Sequence, residues 1–133
     1  MSNSKPYVDG FVIVIAKNRV EDYRQVAARA GALWIEHGAL DYKECVLEDW
    51  SKKEGLRSFP ELAGAREDET VVFAYIVFES REARDAVNAR VMADPRLAEI
   101  CPGLQESGDM PFDPARMAYG GFQTIVSHQK GGL

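Results

Sequence analysis

Six side chains carry what chemistry the sequence offers. Asp9 interrupts the apolar run from Tyr7 to Ala16, and a carboxylate in such a place has to be solvated, paired, protonated or put to use. Asp113 and Arg116 follow the words Met110-Pro111-Phe112; a carboxylate and a guanidinium at the mouth of an apolar pocket would orient a polar substrate. The plainer reading makes Asp113 an N-cap before Pro114, with Arg116 paired to an acidic neighbour. Tyr75 and Tyr119, like Tyr42, are packing aromatics whose buried hydroxyls need partners and can present hydrogen bonds to a ligand. His37 is a candidate general base or axial haem ligand, set against a surface imidazole favoured by a helix C-terminus. The ligand-binding set is thus Asp9, Tyr75, Asp113, Arg116 and Tyr119, and the catalytic candidates are Asp9 and His37.

Other chemistries find little support. The two histidines, His37 and His128, form no H-x-H or H-E-x-x-H, so no metal site is expected and no cofactor is assigned. Cys45 and Cys101 make no C-x-x-C; Cys45 reads as a small core residue on a strand, and a disulfide framework is not expected. Gly120-Gly121 lies inside a strand and precedes no helix, which suggests a bulge or a close backbone approach and no phosphate cradle. The 21 acidic and 16 basic residues give a net charge of −5, with no basic stripe, so nucleic acid is not an expected partner. No run approaches the ~20 apolar residues of a membrane span. The reading is one domain, 1–133, in a soluble cytoplasmic protein.

The elements that must position these residues follow from periodicity. Tyr7 to Ala16 is a strand with Val8, Val12 and Val14 on one face and Phe11, Ile13 and Ile15 on the other. Asn18 and Glu21 form a capping box for a helix in which Val20, Tyr23, Val26, Ala27, Ala30, Leu33 and Trp34 recur at helical spacing, ending at Gly38. Leu40 to Trp50 is an edge strand, and Ser51 to Asp68 is a polar loop too long for a hairpin. A third strand, Glu69 to Glu79, is apolar on both faces. Ser80 caps a second helix, Asp94 closes it and caps a further short turn at Pro95, and Met117 to Val126 is the fourth strand after an irregular Cys101 to Ala115.

This β-α-β-β-α-β order is the ferredoxin-like α+β unit, a four-stranded antiparallel sheet of strand order 4-1-3-2. Its two central strands are the ones with apolar residues on both faces. Helices cover one face of such a sheet, and the other, roughly 500 Å² from ~4.8 Å spacings and ~3.4 Å rises, is near the largest apolar patch a monomer tolerates. A second copy packed face to face would bury it, making a homodimer and an enclosed apolar space for a small molecule; if the contact itself fills that space, a pocket is expected instead beneath the Ser51 to Asp68 and Cys101 to Ala115 segments, beside Asp113 and Arg116. The alternative is a monomer in which the Ser51 to Asp68 segment or the tail folds over the sheet. The topology brings that segment, the connection before the fourth strand and Lys17 to Arg19 to one end, and places Asp9 and His37 toward the other.

The words Met110-Pro111-Phe112-Asp113, Arg116-Met117 and Tyr119-Gly120-Gly121-Phe122, with Asn88 to Arg96, Tyr7 to Phe11 and Glu36 to Leu40, resemble the YbaA-like family of uncharacterised bacterial proteins. The resemblance runs from Tyr7 to Val126, departing in a longer Ser51 to Arg57 loop and a free His37. It implies a ferredoxin-like subunit of the dimeric α/β-barrel superfamily and carries no established activity, so no catalytic residue transfers. That superfamily includes cofactor-independent monooxygenases, haem-degrading enzymes, isomerases and dehalogenases, an analogy of fold. Three functions follow as expectations: a homodimer acting on a small aromatic or carbonyl compound as a cofactor-independent oxygenase or isomerase, a non-catalytic sensor or carrier, or a purely structural interaction dimer.

Overall fold

Strand β1, Tyr7–Ala16, takes an inner place in the sheet, as its apolar residues on both alternations require. The computed structural model describes residues 5–101 and 110–131. A 3-10 turn, Lys17–Arg19, leads from β1 into α1, Val20–Glu36. Then come β2 (Asp41–Val46), α2 (Phe59–Ala63), β3 (Glu69–Phe78), α3 (Arg81–Ala93), α4 (Pro95–Ile100) and β4 (Ala118–Gln123). The sheet order is β2-β3-β1-β4 with each neighbouring pair antiparallel, the ferredoxin-like α+β arrangement expected from the sequence. Among the described residues no helix is long and apolar enough to cross a membrane.

Register assigns the faces. Ile13 pairs with Val72, Phe11 with Ala74 and Asp9 with Ile76 on the side covered by helices, and there Ile13, Ile15 and Val72 pack with Tyr23 and Ala27 of α1. A second group joins Ile76 and Phe78 to Leu33, Val87 and Val91. The opposite face carries Val8, Val12, Val14, Val71, Phe73, Tyr75 and Val77.

That opposite face is not uniformly bare. The stretch read as a polar loop contains α2, whose Ser58 and Glu61 form a reciprocal capping box and whose end is Gly64 at φ 69°. Phe59 of α2 stacks on Phe73 at 5.8 Å between ring centroids, and Val14 and Val71 beside it are fully buried. The expectation of a polar loop is corrected for this part of the segment: Ser58-Phe59-Pro60-Glu61 is a helix start, and the apolar Phe59 and Leu62 stand three apart among charges. One end of the face is covered by the chain itself, while Phe73 remains 42% and Phe122 58% exposed.

Four other expectations are corrected. Asn18 caps nothing, because it lies inside the 3-10 turn and α1 begins at Val20 with no side-chain cap; Glu21 and Asp22 instead place negative charge at the N-terminus of the helix. β2 stops at Val46, four residues early, since Asp49 turns back to accept from the Ser51 backbone N–H at 3.0 Å. β4 stops at Gln123 because its partner β1 starts at Tyr7, the residue paired with it; beyond, Thr124 Oγ1 donates to the Pro6 carbonyl at 2.6 Å. Cys45 is exposed on the open face of the edge strand and takes no part in the core. The helix ends that were expected do form: Gly38 takes φ 122° after α1, Ser80 accepts from Ala83 N–H at 3.0 Å, and Asp94 accepts from Arg96 N–H at 2.9 Å. Of the irregular segment, 102–109 lies outside the described residues; Phe112 bridges to Ile15, and Pro114–Arg116 is a 3-10 turn.

Candidate functional site

Between α1 and the helix-covered face of the sheet lies a cavity of about 460 Å³. Phe11, Ile13 and Ile76 form its floor, Val26, Ala30 and Trp34 of α1 its roof, and Phe112 and Met117 part of its rim. The walls are mainly apolar, with polar groups gathered at two poles. The expected space between two sheets is therefore not the one the single chain builds; its cavity is on the other side, where the small residues Ala27 and Ala30 of α1 leave room above Ala74.

Asp9 anchors the first pole. It is 1% exposed, and its Oδ1 accepts from Arg84 Nη1 at 2.8 Å while Oδ2 accepts from Asn88 Nδ2 at 3.3 Å. Arg84 Nη1 also donates to the Tyr119 hydroxyl at 2.8 Å, and its guanidinium lies over the Tyr7 ring, 4.9 Å from the centroid. Asn88 Oδ1 in turn accepts from Trp34 Nε1 at 2.9 Å. Burial and then the nearby Asp9 charge push the Tyr119 phenol up from its ordinary value. Gly121 makes this packing possible, since a Cβ there would stand 2.6 Å from the Tyr7 hydroxyl and 2.9 Å from Arg84 Nη1. The glycine pair thus marks a close approach, with β1 and β4 in unbroken register and no bulge.

Glu44 forms the second pole, on β2 facing the helices between Tyr42 and Val46. One carboxylate oxygen accepts from the Tyr23 hydroxyl at 2.6 Å and the other from the Tyr42 hydroxyl at 2.5 Å. Burial raises its pKa, opposed by the two phenol donors. Both phenols are pushed well above their usual range, by burial first and by the Glu44 charge second. The Tyr42 ring reaches α1 only because residue 31 is glycine, where a Cβ would lie 2.6 Å from two ring atoms. Tyr23, Tyr42 and Glu44 also line a neighbouring cavity of about 450 Å³, walled by Ile15, Gly31 and Val72.

The structure divides the residues singled out from sequence. Asp9 and Tyr119 come together at the cavity. Tyr75 lies on the opposite face of the sheet, beside Phe73 at 6.3 Å. Asp113 accepts from Ala115 N–H at 2.9 Å, the capping role, and Arg116 is bound to Glu69 at 2.7 and 2.9 Å and to the Gly64 carbonyl at 2.9 Å. Neither of these two lines the cavity. The same contacts bring the ends of the two long connections together, as the topology required.

His37 is not free: its Nε2 lies 2.9 Å from Asp94 Oδ2. The ligating atoms of Glu36, His37 and Asp94 fall within 4.8 Å of one another. Arg96, however, donates to both Glu36 and Asp94, the latter at 2.7 Å from Nη2, and so supplies the positive charge a cation would bring. Arg84, Asn88, Tyr23 and Glu44 escaped the sequence reading. For Glu44 the signal was there, a carboxylate on the apolar side of the Tyr42 and Val46 alternation. For Arg84 and Asn88 only their i, i+4 spacing beside the Val87 and Val91 stripe hinted at it.

Four antiparallel strands ordered β2-β3-β1-β4, helices on one face and an apolar cavity beneath them define a ferredoxin-like α+β protein. Within that class the chain belongs to the family described as protein of unknown function DUF1428, whose pattern matches residues 6–114. It is 41% identical over 120 residues to the uncharacterized protein YbaA of Escherichia coli K12, covering 90% of this chain and 97% of that one. Among solved structures, a NIPSNAP family protein with unknown function from Agrobacterium tumefaciens superposes with a TM-score of 0.56 at 13% identity, over 92% of this chain and 91% of the other. A dimeric ferredoxin-like protein from an uncultured marine organism gives 0.54 at 10% identity, over 93% and 100%. At such identities the likeness is one of fold.

Proposed function

We propose that this protein is a homodimer that binds a small, largely aromatic or carbonyl compound in the cavity under α1 and acts on it without a cofactor, as an isomerase or oxygenase. The observation that carries this reading is the cavity itself. A volume of about 460 Å³ is within the ~300–1,000 Å³ of small-molecule sites, which are apolar with a few placed polar groups. Asp9 and Tyr119, held by Arg84, are assigned to the first polar pole, where Asn88 turns an amide toward the same cavity. Tyr75 falls in the proposed dimer contact, Asp113 caps the turn before β4, and Arg116 ties that turn to Glu69 of β3.

Pairing is supported by the apolar residues on the open face, Phe73 and Phe122 among them, and by the dimeric description of one solved structure of the same fold. A ligand screen by thermal shift tests the binding: a ligand at a hundred times its Kd adds ~2.7 kcal/mol of stability. Aryl ketones and phenols should stabilise the wild type and lose that effect in Ala30→Phe, which fills the roof. If no compound stabilises the wild type, the cavity is not a ligand site. Sedimentation should return twice the chain mass, and a monomer would overturn the pairing.

A further inference from the structure

We propose that Glu44 is the proton-carrying group of the cavity, a general base that takes a proton from a carbon next to a carbonyl and returns it. The inference rests on the small-molecule reading above and narrows it to proton transfer. Its ground is a contrast among the carboxylates. Asp9 is met by Arg84, Glu69 by Arg116 and Asp94 by Arg96. Glu44 is half-buried against two apolar cavities, and its partners are two phenols. A carboxylate used only to tie α1 to β2 gains two charge-assisted hydrogen bonds there but bears the cost of a half-buried charge with no cationic partner among the described residues. A base meant to work near neutral pH does gain, because the same surroundings make it a stronger proton acceptor.

The carbonyl's partner is assigned to Asn88, which lines the same cavity as Glu44. Asn88 Nδ2 has two hydrogens, and among the described residues one of them meets Asp9; the second is available to an oxygen in the cavity. With the carbonyl oxygen held there, the C–H electron pair moves into the C=C of an enolate as the proton passes to a Glu44 oxygen. Return of the proton to the same carbon gives exchange. Return to the far carbon of a conjugated system moves the double bond. Either way the carboxylate is restored and nothing is oxidised or reduced. The groups facing Glu44 are Tyr23 and Tyr42, with Cys101 beyond the phenols and Arg24, tied to Glu21, on the wall of the second cavity.

The test uses 2-tetralone, 2-indanone and phenylacetone. Binding is read by thermal shift, and exchange of their α-hydrogens for deuterium by proton NMR in D2O. Wild-type protein should bind at least one and speed its exchange, by about 10²–10⁴-fold over Glu44→Gln, while Glu44→Gln still binds it. Binding with no exchange above buffer, or exchange that survives Glu44→Gln, overturns the role of Glu44 and leaves the binding site standing. Failure of all three ketones to bind overturns both readings. Should Glu44→Gln not fold, Tyr23→Phe serves: removing a donor that holds the carboxylate down must move the inflection of the exchange profile to higher pH, and an unmoved inflection overturns the proposal.

Discussion

Counter-charge, present or absent, sorts the acidic side chains of this protein into two groups with opposite responses to pH. Hydrogen bonds from Arg116, ahead of the Arg66 backbone N–H, bring the Glu69 carboxyl down to about 2. Its folded pKa is below its unfolded one, so the stability it contributes is complete above the unfolded value and is lost as pH falls toward about 2. Glu44 behaves in reverse: burial raises it, so its contribution is complete below the unfolded value and is lost as pH rises through the folded one. We expect Arg116→Ala to lower unfolding free energy at pH 7, with the gap to wild type closing at acid pH where Glu69 is protonated. Urea titrations at several pH values check this, and a gap that does not depend on pH would mean that Arg116 acts by packing alone. At this scale the sequence was half legible. Asp113 before Pro114 announces a cap, and Arg116 calls for an acidic neighbour. That the neighbour is Glu69, 47 positions away, is set by the meeting of two connections and has no local sign. Asp9 was visible as a misplaced charge, but Arg84 is exposed by every local criterion and becomes a buried partner only because Gly121 lets β4 come close.

Secondary structure was best legible where burial and periodicity agree. β1 and β3 could be read as central strands because both alternations are apolar, a pattern an edge strand has no use for. α1 and α3 could be read from their stripes, and their stops from Gly38 and Asp94. α2 was hidden because it is five residues long, shorter than two turns, and its two apolar residues sit among Lys, Glu and Arg. Its order depends on its cap. Ser58→Ala should cost about 1 kcal/mol and should raise hydrogen exchange at Leu62 and at Val71 beneath α2 while leaving α1 and α3 unchanged. Equal exchange in the variant would show that stacking of Phe59 on Phe73 holds α2 without the capping box. The strand ends were misjudged for a related reason: β2 and β4 stop where their partners or a side-chain turn stop them, and neither fact is written in their own residues.

The molecule as a whole has two apolar territories, one enclosed under the helices and one open on the sheet, and the sequence pattern revealed the second more clearly than the first. A cavity over a sheet depends on which helix positions are small; Ala27 and Ala30 look like ordinary helix formers, and Gly31 like a weak one, until the strands beneath them are in register. The open territory can be tested by charge. Phe73→Glu, in the middle of the open face and outside both cavities, should convert a dimer to a monomer in sedimentation without altering ligand-induced stabilisation; a dimer that persists would place the contact elsewhere.

α2 also makes the open face lopsided, raised at the Val14 and Val71 end and bare at the Val8 and Val77 end. Two copies that meet through it must be related by a two-fold axis lying in the plane between them. An axis running along the strands would set helix against helix. An axis running across them sets each α2 opposite the bare end of its partner, so that the step on one surface fits the recess on the other.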